Sequence, residues 1–283
     1  MPGTSKAPEA LREAGLFRRL LADGAVDGGV VLSGRYVDDD ATRATGHVRN
    51  EAHMVDHARR LAHRIAGTIV EGRAPLVIGG DCSLLLAAGL ALRNAAGLVH
   101  IDGHTDFRHP GNSDNCASVA GEDLAAAVGR HWPAIADIDG CGPYFSPANT
   151  VHIGCREDDQ EIDEVRSLLR LVLPAHQSIE IGMTETGRVA RAAAAAAAGD
   201  AGYWLHLDVD VLDPTFMPAV DSPDPGGLDP DQLIELLKAL APRAIGAQVT
   251  VFDPDLDPDG RYAKLLADII VSGMADLGRQ VMR

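Results

Sequence analysis

The chain has 283 residues, 46% of them hydrophobic, and a formal net charge of -16 from 41 acidic and 25 basic side chains. That length can bury a full core, which leads us to expect one α/β domain over residues 1–283; no apolar stretch reaches membrane-spanning length, and the acidity excludes the basic face that a nucleic-acid partner needs. Met1 to Pro8 lacks the basic-then-apolar pattern of a secretory signal, and Cys82, Cys116, Cys141 and Cys155 show no close paired spacing, so free thiols and a cytoplasmic location are expected.

Taken in order, the apolar runs and helical periods alternate. Val30 to Leu32 reads as a short strand, Asn50 to Glu71 as a helix, Leu76 to Ile78 as a strand and Ser83 to Asn94 as a helix. Gly97 to Asp102 is the next strand, followed by a helix over Gly121 to Val128, a strand over Thr150 to Gly154 and helices over Ile162 to Leu171 and Val189 to Ala198. The series closes with a strand over Trp204 to Asp208, a helix over Pro230 to Leu240, a strand over Ile245 to Phe252 and a helix over Ala263 to Leu277. Strands separated by helices predict a three-layer α/β/α architecture around a mostly parallel sheet. No domain-splitting linker interrupts it, and the alanine run Ala192 to Ala198 reads as a small-residue helix.

Open α/β folds keep their sites where strands end, so the residues after each apolar run are the ones to inspect. Gly79-Gly80-Asp81-Cys82-Ser83 follows the run Leu76 to Ile78. His100-Ile101-Asp102-Gly103-His104-Thr105-Asp106 ends a strand with D-x-H-x-D, and Leu207-Asp208-Val209-Asp210-Val211-Leu212-Asp213-Pro214 ends another with D-x-D-x-x-D-P. Period-two spacing turns the polar members of each cluster to one side. One such cluster could be a solvated turn; two on different strand ends point to a divalent metal site, since unpaired buried carboxylates are costly.

These three segments, in this order and spacing, resemble the metal-binding motifs of the ureohydrolase family of arginases, agmatinases and their relatives, over roughly residues 76 to 254. The Pro-Gly-Gly-Leu that ends at Leu228 resembles the loop after the third motif. The resemblance implies an arginase-like fold, two Mn(II) ions, and hydrolysis of a guanidino or amidino C–N bond by a metal-bound hydroxide. Carried over by position, Asp102 and Asp208 would bridge the ions, His104 and Asp210 would complete one, and Cys82 and Asp106 the other, with Asp81 and Asp213 bracing the ligands. Asp102 and Asp210 would then be catalytic, Asp210 managing the proton of the attacking water. A homo-oligomer, trimer or hexamer, is implied in the same way.

The departures from the pattern are informative. Cys82 stands where the family has histidine; a thiolate is soft and negatively charged, which weakens a Mn(II) site or favours another metal, and an inert buried thiol is the alternative. Ala120 stands at the place of a proton-shuttling histidine, with His109 in reach as a substitute, and Val251 at the place of a guanidinium-binding glutamate. Arg108, Glu157 and Asp159 fall where related enzymes hold the carboxylate and amino group of an amino acid. Together these features predict an amino-acid-like substrate with a modified guanidine such as N-omega-hydroxyarginine. A conventional arginase, an agmatinase or formimino hydrolase, and a metal-binding relative without catalysis are the other readings. His53, His57 and His63, and the alternating aspartates Asp253 to Asp259, read as ordinary surface or core groups.

Overall fold

The computed structural model describes residues 3–195 and 202–281. Six strands form one sheet: β1 (Leu76–Ile78), β2 (Gly97–Ile101), β3 (Thr150–Ile153), β4 (Leu171–Leu173), β5 (Tyr203–Asp208) and β6 (Ala244–Thr250), in the order β1-β6-β5-β2-β3-β4. Every pairing is parallel. Parallel strands are covered on both faces, and β2, β3, β5 and β6 are buried at every residue.

The helices are α1 (Ala7–Glu13), α2 (Leu16–Ala22), α3 (Glu51–Val70), α4 (Leu85–Leu92), α5 (Asp123–Ala127), α6 (Pro133–Ala136), α7 (Ile162–Leu168), α8 (Ala175–Ile181), α9 (Met183–Ala195), α10 (Pro230–Leu240) and α11 (Arg261–Gly273). One apolar layer packs α1, α2, α9, α10 and α11 against Val99, Ile101, Leu205 and Leu207. The other packs α3, α4 and α5 against Leu98 and Trp204, the residues of alternate parity on the same strands. Local chemistry sets the element ends. Asp229 accepts from Gln232 N while the Gln232 side chain accepts from Asp229 N, and Pro230 fills the first helical position of α10 where its missing N–H costs nothing.

From β2 the chain steps outward to β3 and β4, and from β5 it steps the other way to β6. The neighbours β2 and β5 therefore flank the point where connections diverge, and a crevice opens at their C-terminal ends. Asp102 and Asp208 sit there.

Several expectations need correction. Val30 to Leu32 is no strand: it lies along α3, with Val31 O 3.2 Å from His57 Nε2 and Leu32 O accepting from Arg60 at 2.8 Å, while Val30 and Leu32 are 67% and 73% exposed. Its short apolar run meets no neighbouring strand. Leu171, expected to end a helix, begins β4 instead. The helix expected from Val189 starts at Met183 and runs to Ala195; residues 196–198 of that expectation lie outside the described residues. The helices α1, α2, α6 and α8 match no helix expected from the sequence.

Candidate metal centre and substrate cleft

Each aspartate motif folds on itself. Asp102 Oδ1 accepts from His104 N at 2.7 Å, and Asp208 Oδ1 accepts from Asp210 N at 2.8 Å, so the chain turns immediately after each strand. The two turns are then cross-linked. Asp210 Oδ1 accepts from Gly103 N at 3.0 Å, and Asp210 Oδ2 lies 2.9 Å from His104 Nδ1. Gly103 is required by close approach, since a Cβ there would meet the Asp210 carbonyl oxygen at 2.6 Å. Arg156, 8% exposed, locks the arrangement from behind by donating to the carbonyl oxygens of Gly154, Asp210, Asp224 and Pro225.

Among the described residues, Asp102, His104 and Asp210 form one convergent group of possible ligands, and Cys82, Asp102, His206 and Asp208 a second. Burial, then repulsion from neighbouring aspartates, pushes the carboxyls of Asp102, Asp106 and Asp208 well above their usual range. His104, hydrogen-bonded by Asp210 and also 3.2 Å from Asp224, is raised to about 9. Asp210 is the exception: burial would raise it, but the His104 partnership leaves it below the ordinary value. Asp102 Oδ2 is wholly buried and has no hydrogen-bond partner. This hard, oxygen-rich, over-acidic donor set with an orphaned carboxylate oxygen fits divalent cations.

A cleft of about 460 Å³ opens onto these groups, lined by His104, Asp106, Arg108, Asp208, Asp210 and Val251 among others. The profile of the Arginase family matches residues 1–275. The chain belongs to the arginase family.

Members of this family are generally metal-dependent, and this one is an amidinohydrolase of the ureohydrolase type, acting on guanidino or amidino groups. It is 29% identical over 286 residues to the arginase of Brevibacillus brevis, covering 97% of this chain and 93% of that one. The arginase structure from Bacillus cereus superposes with a TM-score of 0.83 at 27% identity, covering 96% and 92% of the two chains. Proclavaminate amidino hydrolase from Streptomyces clavuligerus superposes at 0.71 with 25% identity, covering 98% and 85%. No helix of the described residues is long and apolar enough to cross a membrane.

Against the family pattern, the remaining motif residues are distributed unevenly. Cys82 is buried in the second group, where its thiol donates to Asp208 Oδ2 at 2.7 Å and lies 3.3 Å from Thr250 Oγ1. Asp106, held at φ 46°, lines the cleft but belongs to neither convergent group; Asp123 is one of the carboxylates that raise it. Asp81 accepts from Ser83 N, and Asp213 accepts from Thr215 N and Gly226 N, so each shapes backbone next to a motif. Arg108 faces the cleft with its buried Nε unpartnered. Asp159 also lines the cleft, with its carboxylate engaged by Thr105 N, Thr105 Oγ1 and Glu161 N.

Two expected residues are turned away. His109 is buried with Nε2 3.0 Å from Glu164 and Nδ1 accepting from Gly111 N, and it does not line the cleft, so it is not placed to carry a proton there. Glu157 is bound outside the cleft by His176, Gln177 and Arg166. Sequence reasoning also missed residues: His100, Asp123, His152, His206, Arg156 and Asp224. Three of these were signalled by a histidine inside an otherwise apolar strand, at register positions His100↔His152 and His100↔His206.

Proposed function

We propose that this arginase-family enzyme hydrolyses a C–N bond of a modified, weakly basic guanidine in an amino-acid-like substrate, with N-omega-hydroxyarginine as the leading candidate. The observation that carries the reading is Val251. An apolar side chain, 3% exposed, lines the cleft at the place where the family pattern has a guanidinium-binding glutamate. A fully charged guanidinium would be left without its carboxylate, whereas a hydroxyguanidine is far less basic and can bind in its neutral form, which needs none.

The rest of the cleft suits an amino acid. Arg108, with an unsatisfied Nε, offers a fork for the α-carboxylate, and the acidic rim of Asp158, Asp159 and Glu161 suits an α-ammonium. Asp102, His104, Asp208 and Asp210 would hold one ion, and Cys82 and Asp106, sharing the two bridging aspartates, a second; Mn(II) is the expected metal. Ions bound there would supply an acidified water as nucleophile and offset the negative charge that develops on the substrate.

The protein's own part is positional. His104 and Asp210 hold each other at 2.9 Å, with Asp210 in place to accept a proton, and Arg156 fixes the Asp210 backbone and the Asp224–Pro225 segment over it. The test is kcat/KM of the Mn(II)-loaded protein on arginine, agmatine and N-omega-hydroxyarginine. Preference for the hydroxyguanidine by tenfold or more, about 1.4 kcal/mol, is expected. Equal or better cleavage of arginine would overturn the reading.

A further inference from the structure

Beneath the aspartates that end β2 and β5, one row of the sheet is polar from strand to strand. His152, His100, His206 and Gln248 are paired in register across β3, β2, β5 and β6, and all are at most 1% exposed. Their hydrogen bonds fix where protons sit. Trp204 Nε1 can only donate, and it donates to Gln248 Oε1 at 3.0 Å, so the Gln248 amide nitrogen, 2.7 Å from His206 Nδ1, is the donor there. The lone pair of neutral His206 is therefore used at Nδ1. Its Nε2 carries a proton and stands 3.9 Å from Asp102 Oδ2.

His100 is different. Its Nδ1 lies 3.0 Å from His152 Nδ1, and when it donates there its Nε2 presents a free lone pair. That nitrogen is 3.6 Å from Asp123 Oδ2 and 3.8 Å from Asp102 Oδ2. His100 Nε2, Asp102 Oδ2 and both oxygens of Asp123 are wholly buried, and none has a hydrogen-bond partner. Donors in a tetrahedral shell with bonds of about 2.1 Å stand roughly 3.4 Å apart, close to both of these separations from His100 Nε2, and His100 and Asp123 fall in one convergent group together with His206, whose protonated Nε2 is no ligand. By contrast, in the other histidine-containing cluster of the described residues outside the metal centre, Cys116–Glu122–His131, Glu122 and His131 are already partnered: Glu122 accepts from Ala117 N, Ser118 N and His131, and His131 accepts from Trp132 N.

We propose that His100 Nε2 and the Asp123 carboxylate, beside Asp102 Oδ2, bind a divalent first-row transition-metal ion one layer below the motif aspartates. An ion there satisfies His100 Nε2 and both oxygens of Asp123, three orphaned buried atoms that the motif aspartates' own ions leave unmet and that the neighbouring thiol does not reach, since Cys82 is already committed as a hydrogen-bond donor to Asp208. The mixed imidazole and carboxylate set suits zinc, cobalt or manganese. The inference adjoins the proposed hydrolytic centre at Asp102 and does not depend on the substrate assigned to it.

The experiment counts ions per chain by equilibrium dialysis of the full-length protein against Zn(II), Co(II) and Mn(II) separately, for native, Asp123→Asn, His100→Gln, Cys82→Ala and His104→Asn. Asp123→Asn and His100→Gln are expected to lose one ion, or to bind it more than about 100-fold more weakly, beyond the roughly 10- to 100-fold typical of partners that do not touch the metal. Cys82→Ala and His104→Asn keep that ion. Its Co(II) form shows d–d absorption without a thiolate charge-transfer band. Asp123→Asn removes a buried, unpartnered carboxylate, so its metal-free Tm stays at or above the native value, and only the rise in Tm on adding metal is lost. Native-like ion counts and affinities in both Asp123→Asn and His100→Gln would overturn the proposal. So would loss of the ion in Cys82→Ala together with a thiolate band in the native protein. An ion lost in Asp123→Asn from a protein inert toward every guanidine keeps this inference and removes the hydrolytic reading.

Discussion

Val251 N donates to the carbonyl oxygen of Gly80 at 2.9 Å, which ties the end of β6 to the Gly-Gly-Asp turn and holds a β-branched residue at φ 70°. Such a residue in the left-handed region costs about 1 to 3 kcal/mol, and it stands in the wall of the substrate cleft. The strain and the function meet at one position.

Replacing Val251 by glutamate puts a carboxylate where the family pattern has one. kcat/KM for arginine should rise relative to N-omega-hydroxyarginine by roughly tenfold or more, the worth of a charge-assisted hydrogen bond. Tm should fall, because another buried carboxylate joins Asp208 and Asp210. Steady-state kinetics on both substrates with a thermal melt decide it; unchanged relative specificity refutes the role given to this position.

Cys82→His should raise Mn(II) affinity by about tenfold or more. Burial, then the charge of the adjacent Asp208 carboxylate, push the thiol well above its ordinary value, so it stands as S–H and is a poor ligand for a hard ion. Metal dialysis reads the outcome, and an affinity no higher than native would show that position 82 does not limit metal binding.

Arg156→Lys should both destabilise the fold, by about 2 to 4 kcal/mol, and lower kcat. Lysine cannot reproduce donation to the carbonyl oxygens of Asp210, Asp224, Pro225 and Gly154, which face the guanidinium from several directions. Urea denaturation with kinetics at saturating substrate tests this. Native kcat in a correctly folded variant would show that the Asp224–Pro225 segment does not need its anchor.

His57 provides a pH prediction. Burial holds its imidazole below 6.5 in the folded protein, outweighing the hydrogen bond to Val31 O. Above pH 6.5 the ring is neutral folded or unfolded and contributes nothing to the slope; below it the unfolded chain takes up the proton more readily, so stability falls as pH falls. His57→Gln should lose less Tm than the native protein between pH 7.5 and 5.5. An identical loss would place the effect in other groups.

The alternation of buried strand and helix, and the aspartates that follow two of the strands, were legible in the sequence because both are local. Apolar runs such as Leu76 to Ile78 cannot stay in water, and D-x-H and D-x-D turns close on their own backbone. Val30 to Leu32 misled because a strand is defined by its neighbour, and these residues meet α3 instead. His109 and Glu157 misled because proximity in sequence does not set direction: each found a nearer partner outside the cleft, in Glu164 and in His176. Only the tertiary structure decided which distant side chains converge. Register places His100 beside His152 and His206, packing of α5 on the sheet brings Asp123 to within 3.6 Å of His100, and burial removes the water that would otherwise satisfy them. Local pattern determines what a segment is; long-range register and exclusion of water determine what it faces.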